Sequence, residues 1–237
     1  MLAAFHNLWP LTILYKYFRQ LEVVGKARLF GYLLVLACCA LGAVLSKENG
    51  ALFPLFVLVI EFFLFRFRFN TVGQKRFVFS FLCVFLLFPA CLALLYLSIF
   101  SVPYSIFSAY DWRGFSLIER LLTESRVLFS YLQWIIFPHV QGMTFFHDGY
   151  EVSRSLVYPV TTLFSILALI GVIVGSFVLR NKNNIVSFGV FWFLTAHLME
   201  STILPLELVF EHRNYMASLG NHPGFNCPVS SVFAVNE

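Results

Sequence analysis

At 237 residues the length alone would suit one or two soluble domains. However, 59% of the chain is hydrophobic, 30 residues are Phe, only 12% are charged and the mean hydropathy is +0.81, which places it with multi-pass membrane proteins. The formal charge of +4 is small and spread along the chain, which argues against a nucleic-acid partner. Cys38, Cys39, Cys83 and Cys91 lie in apolar runs and Cys227 lies near the end, with no C-x-x-C spacing, so neither a disulfide framework nor a thiolate zinc site is expected.

The chain opens on "MLAAFHNLWPLTILYKYF", which lacks the basic start and cleavage site of a secretory signal. With Pro10 inside it and Lys16 close behind, this stretch reads as a partial helix or a short interfacial piece, and residues 1–28 as that partial helix followed by a cytoplasmic basic segment. Spanning a bilayer takes about 17 to 25 apolar residues. The runs that approach this are 29–45, 50–65, 77–100, 156–179 and 185–199, of which the second and fifth are short. A sixth run, 127–137, is too short to cross. It follows "FSLIERLLTESR", where Leu117, Leu121, Leu122, Val127 and Leu128 fall on one side and Glu119, Arg120, Glu124 and Arg126 mostly on others. That pattern predicts an amphipathic helix that lies in the interface or re-enters the membrane. The expected fold is therefore all-α and polytopic, with about five transmembrane helices plus this interfacial or re-entrant one.

Lys16, Arg19, Lys26 and Arg28, then Arg66, Arg68, Lys75 and Arg76, then Arg180 and Lys182 form three basic regions. Short cytoplasmic loops carry such excess, and five spans alternate without conflict if all three regions are cytoplasmic. "SKENG" at 46–50, the loop 101–155 and "EHRNY" at 211–215 then share the extracytoplasmic side, together with Glu48, Asp111, Glu119, Glu124, Asp148, Glu151, Glu200, Glu207, Glu211 and Glu237. Of the two remaining acids, Glu22 sits beside the basic N-terminal cluster and Glu61 lies about a turn from Arg66, where snorkelling accounts for it.

The densest polar stretch is "HLMESTILPLELVFEHRNY". Charge in or beside hydrocarbon is costly and marks working sites. His197, Glu200, Glu207, Glu211 and Asn214 follow at intervals of three, seven, four and three residues, one stripe on a continuous helix, although Pro205 interrupts it. The structural alternative is that these groups brace helices by pairing with Arg213 and with the interfacial helix. In "LSKENGALFP", Lys47 and Glu48 form the apex of a tight connection between two spans, where a lysine holds phosphate as a point charge; a polar hairpin is also what any helix pair needs. "DWRG" (111–114) and "FFHDGY" (145–150) suit sugar stacking, or equally an interfacial aromatic belt. His197 with Glu200, or His147 with Asp148, lacks a third ligand, so no metal site is expected. No P-loop, dinucleotide fingerprint or G-x-S-x-G is present.

Through "LSKENGALFP" and "HLMESTILPLELVFEHRNYMASLG", and the intervening "ERLLTESRVLFSYLQWIIFP" and "FFHDGYEVSRSLVYPVTTL", the chain resembles bacterial multi-pass membrane proteins that often end in tetratricopeptide repeats. These are related to protein O-mannosyltransferases and are similar to GT-C glycosyltransferases. The resemblance covers residues 29–220; its most specific block is Glu211, Arg213, Asn214, Tyr215 and Ser218, with Ala217 standing where the family has Pro. It implies an inner-membrane enzyme that transfers a sugar from a polyprenyl-phosphate carrier to a protein or glycan acceptor at the extracytoplasmic face. It further implies Lys47 and Arg213 on phosphate, and Glu200 and Glu211 on sugar or acceptor, with Glu48, Glu207, His212, Asn214 and Tyr215 as further substrate contacts. No cofactor is implied beyond the lipid-linked donor. The family's principal catalytic acid lies in a loop after the first span, and further spans and repeats follow the final block. The chain is accordingly expected to be a fragment, with 29–220 an incomplete transmembrane domain and 221–237 an unstructured tail. A non-catalytic membrane assembly module and a secondary transporter are the other two readings. The transporter reading predicts inverted repeats and midplane polar groups, and the sequence shows neither clearly.

Overall fold

The computed structural model describes residues 25–46, 48–99, 110–137, 150–202, 208–209 and 214–219, and every regular element among them is helical. The chain divides into two compact units, Met1–Phe100 and Ser101–Glu237.

The first unit starts with α1, Lys26–Ser46. Its stretch Lys26–Leu45 has a mean hydropathy of 2.1, yet only 11% of it is buried, and Phe30, Leu34, Leu41 and Leu45 face outward. A helix of this length with an apolar outer surface matches hydrocarbon better than water. A 3-10 turn, Glu48–Leu52, folds back onto α1. Gly50 permits the approach, because a Cβ there would stand 2.5 Å from the Ala43 carbonyl carbon and 2.6 Å from its oxygen. Pro54 enters α2, Phe53–Val59, in the first turn, where its missing N–H costs no helical bond.

α2 widens into a π-helical segment, Ile60–Phe65, and stops at Arg66 and Phe67, whose φ values of 53° and 52° reverse the chain. Thr71 then caps α3, Val72–Leu82: its side chain accepts from the Gln74 N–H at 3.2 Å, while Gln74 Oε1 accepts from the Asn70 N–H at 2.9 Å. A second π-helical segment, Cys83–Leu87, leads into α4, Phe88–Ile99. Pro89 gives the reason, since it has no N–H for the Phe85 carbonyl and its ring crowds that carbonyl in a regular α-turn. The core of this unit is phenylalanine. Phe53, Phe56, Phe77 and Phe81 are fully buried, with Phe53 edge-on to Phe81 at 5.5 Å and Phe81 stacked on Phe85 at 4.7 Å. Glu61 does not snorkel, for it too is fully buried.

The second unit is built on α5, Leu117–Ile136. The expected amphipathic segment and half-length apolar run are one 20-residue helix, and its orientation differs from the expectation. Arg120, Thr123, Glu124, Val127 and Tyr131 are buried, whereas Ile118 and Leu121 are exposed. Positions 120, 124, 127 and 131 recur at three- and four-residue intervals with 123 beside them, one helical face, so Arg120 and Glu124 point into the protein and part of the apolar surface points out. α6, Thr161–Leu179, repeats this: Thr162 and Ser176 are buried while Phe164, Leu167, Ile170 and Val174 are exposed. α7, Asn184–His197, is capped by the Asn183 side chain, which accepts from the Val186 N–H at 3.3 Å. A short helix, α8, Asn214–Leu219, packs on α7 and α5. Hydroxyls join the segments: Ser187 Oγ donates to the Ser176 carbonyl (2.7 Å), and the Ser153 N–H to Thr123 Oγ1 (2.8 Å).

Among the described residues three helical stretches are long and apolar enough to cross a membrane: Lys26–Leu45, Val72–Tyr96 and Thr161–Leu179. Asn49–Phe65 and Asn184–His197 are apolar but shorter.

Candidate functional site

The polar stripe of α5 meets the end of α7 in a buried cluster. Arg120, 0% exposed, lies beside Glu124 four residues on, Nη2 to Oε1 3.2 Å. It also reaches the chain leaving α7. Nη2 donates to the Glu200 carbonyl at 2.8 Å, and Nε to the Thr202 carbonyl at 3.1 Å. These carbonyls follow a helix C-terminus, where the backbone leaves acceptors without helical partners and the dipole favours a cation. Arg120 therefore pins the turn that follows α7 from another helix, and it fixes the backbone of Glu200, whose side chain is also buried.

One turn back, His197 is 1% exposed. Its ring lies over Tyr131 of α5, centroids 5.0 Å apart, and against Phe193 at 4.5 Å. Nδ1 faces the Phe193 carbonyl at 2.9 Å and Nε2 faces Asn214 Oδ1 at 3.2 Å, while Asn214 Nδ2 points to the Tyr131 carbonyl at 3.4 Å. A neutral imidazole donates from one nitrogen and an imidazolium from both, so the proton inventory of this ring and the orientation of the Asn214 amide are coupled.

Tyr110 closes another side. Burial raises its phenol above the ordinary range; the Arg120 and Arg113 guanidiniums oppose that shift and the Glu124 carboxylate adds to it. The turn that carries Tyr110, with Asp111, Arg113, Gly114 and Phe115, borders an open basin of about 680 Å³, and Trp112 stands beside it 93% exposed. At the start of α5, Ser116 and Glu119 form a reciprocal cap: the Ser116 N–H donates to Glu119 Oε2 at 2.7 Å, and the Glu119 N–H to Ser116 Oγ at 3.3 Å. The Ser116 backbone contact, foremost, holds the Glu119 carboxyl below its ordinary range, aided by the Ser116 hydroxyl and Arg154 against a smaller burial effect.

Of the residues singled out by sequence, His197, Glu200 and Asn214 meet in or beside this cluster. They do so by a route other than the expected stripe. α7 ends at His197, and residues 198–202 turn instead of continuing the helix, with Arg120 holding that turn. His197 and Asn214 consequently meet from two separate helices, α7 and α8. Tyr215 lies in α8. Glu48 opens the 3-10 turn of the first unit, where Asn49 and Gly50 are buried. Lys47, Glu207, Glu211, His212 and Arg213 lie outside the described residues. Sequence reading missed Arg120, Glu124 and Tyr131 as site residues. The signal was present in the spacing 120, 123, 124, 127, 131, but the eye follows the leucines. Among the described residues no three His, Cys, Asp or Glu side chains gather as a metal site would require.

Comparison with protein-family models, with curated proteins and with solved structures finds no match for this chain.

Proposed function

We propose that this chain is a GT-C-like membrane domain that handles a sugar on a polyprenyl-phosphate carrier, for transfer to a protein or glycan acceptor on the extracytoplasmic face of a bacterial inner membrane. The observation that carries this reading is the buried cluster of Arg120, Glu124, His197 and Glu200, with half-buried Asn214 beside it, placed at the end of an apolar helix in a chain only 12% charged. Burying ionisable groups beside hydrocarbon is costly, and His197, Glu200 and Asn214 fall within the stretch that carries the family resemblance. In this reading five helices cross, the basic regions around 66–76 and 180–182 face the cytoplasm, and α5 lies at the opposite face without crossing. Glu200 and Glu211 contact sugar or acceptor, Lys47 and Arg213 hold the departing phosphate, and electrostatic stabilisation of that leaving group is the principal catalytic device. No residue of the chain is assigned the part of principal catalytic acid.

The test is sugar transfer from a polyprenyl-phosphate-linked donor by the full-length protein in proteoliposomes. Glu200→Gln and Arg213→Ala are each expected to lower transfer at least tenfold while the protein stays folded. Transfer left intact in both variants would overturn the assignment. A non-catalytic assembly module is the second reading, and one observation favours it: Arg120 ties Glu124 of its own helix to two backbone carbonyls of the chain leaving α7, which is how a brace is built. Stable envelope-protein partners in detergent, with no polyprenyl lipid bound, would select that reading.

A further inference from the structure

A second feature of the Ser101–Glu237 unit lies away from the polar cluster's charges. Where α6 packs against both α5 and α7, a groove of about 260 Å³ is lined only by apolar residues. Its α7 wall is Ile185, Val186, Gly189, Val190, Phe193 and Leu194, pairs recurring every four residues along nearly the whole helix. At 1.5 Å per residue that wall runs roughly 14 Å. Gly189 contributes no side chain to the middle of it, so the groove stays open where a larger residue would fill it.

Three observations identify the occupant. α6, whose Leu169 and Val172 form the opposite wall, is long and apolar enough to cross a membrane and is only 11% buried. The groove therefore opens towards hydrocarbon, where polar ligands do not partition. The helix α7 is 14 residues long, roughly 21 Å, against a hydrocarbon thickness of about 30 Å. Such a mismatch draws headgroups inward beside the short helix. Finally, the groove begins at Ile185 and Val186, directly after the turn that carries Arg180 and Lys182, with Lys182 exposed. Cations at that mouth attract anionic headgroups.

We infer that this groove binds one acyl chain of an anionic phospholipid, with its phosphate at the Arg180–Lys182 turn. The site is separate from the proposed sugar-transfer chemistry and does not depend on it. In the bilayer it would seat a lipid where α7 is too short to span alone, bracing α5, α6 and α7.

The test is native mass spectrometry of the full chain released from detergent after equilibration with palmitoyl-oleoyl phosphatidylglycerol or the matching phosphatidylcholine. Wild type is expected to retain one phosphatidylglycerol in preference to phosphatidylcholine. Lys182→Gln should weaken phosphatidylglycerol retention about fivefold, the weight of one surface cation. Gly189→Leu should abolish retention by filling the groove. In case that buried change prevents folding, Val186→Trp, at a rim position 48% exposed, blocks the mouth from outside. Leu94→Trp, at a position 67% exposed on α4, is the control and should retain lipid as wild type does. Equal retention of the two lipids, or retention unchanged in both Lys182→Gln and Val186→Trp, would overturn the proposal, since lipid would then be held only as an unspecific annulus.

Discussion

Gly50 and Arg120 each answer a local demand that no neighbour in sequence reveals. The Gly50 Cα lies so close to α1 that an added methyl would penetrate the Ala43–Val44 backbone, with contacts of 2.5 to 2.7 Å, and backbone cannot swing aside as a side chain can. Gly50→Ala is therefore expected to destabilise the Met1–Phe100 unit by about 1–3 kcal/mol, read as a lower unfolding midpoint in detergent. Arg120 poses an electrostatic demand. Removing it takes the Arg120 cation from the buried Glu124 carboxylate and the Arg120 donors from the buried Glu200 carbonyl and the half-buried Thr202 carbonyl. Breaking such a pair by losing one partner costs about 3–5 kcal/mol. Arg120→Met should show that loss, Arg120→Lys should not restore it because one ammonium cannot reproduce the guanidinium fork, and Arg120→Met with Glu124→Leu should recover most of it. Recovery measured by thermal unfolding separates a buried-charge effect from simple loss of packing.

At the scale of elements, α5 is the helix whose behaviour differs most from its pattern. Its charges and leucines are spaced as in a surface helix, but the surface convention assumes water outside. Where the outer medium is apolar, the favourable arrangement reverses: polar side chains find hydrogen-bond partners inside, as Thr123 does with the Glu119 carbonyl (2.6 Å) and the Ser153 N–H (2.8 Å), and apolar ones such as Ile118 and Leu121 face outward. The start of α5 also carries a pH signature. The Glu119 carboxyl is held below its ordinary range, so its contribution to stability is complete above the ordinary glutamate value. It is lost as pH falls through the lowered one. The unfolding midpoint of the wild type should thus drop in the acid range, and Glu119→Gln should flatten that dependence. Ser116→Ala, which removes the capping hydroxyl, is expected to cost about 1 kcal/mol at neutral pH.

For the whole molecule the proposed five-span arrangement makes a prediction about sidedness. With a cysteine-free background and a membrane-impermeant maleimide applied to intact cells, Trp112→Cys should be labelled and Lys75→Cys should not. Trp112 is 93% exposed on the loop assigned to the exterior, whereas Lys75 belongs to a basic region assigned to the cytoplasm. Labelling at position 75 but not at 112 would invert the topology and with it the side on which the polar cluster opens.

Sequence alone determined that the chain is helical and carries helices long and apolar enough to cross a membrane, because the length and hydropathy of an apolar run reflect a solvent requirement that each helix meets by itself. It also located His197, Glu200 and Asn214, since polar residues in apolar surroundings stand out in composition. Only the tertiary structure decided that α7 stops at His197, that Arg120 and Glu124 face inward, and that Gly50 sits against α1. Each of these depends on a partner 7 to 82 residues away in the chain, whose position no local period encodes.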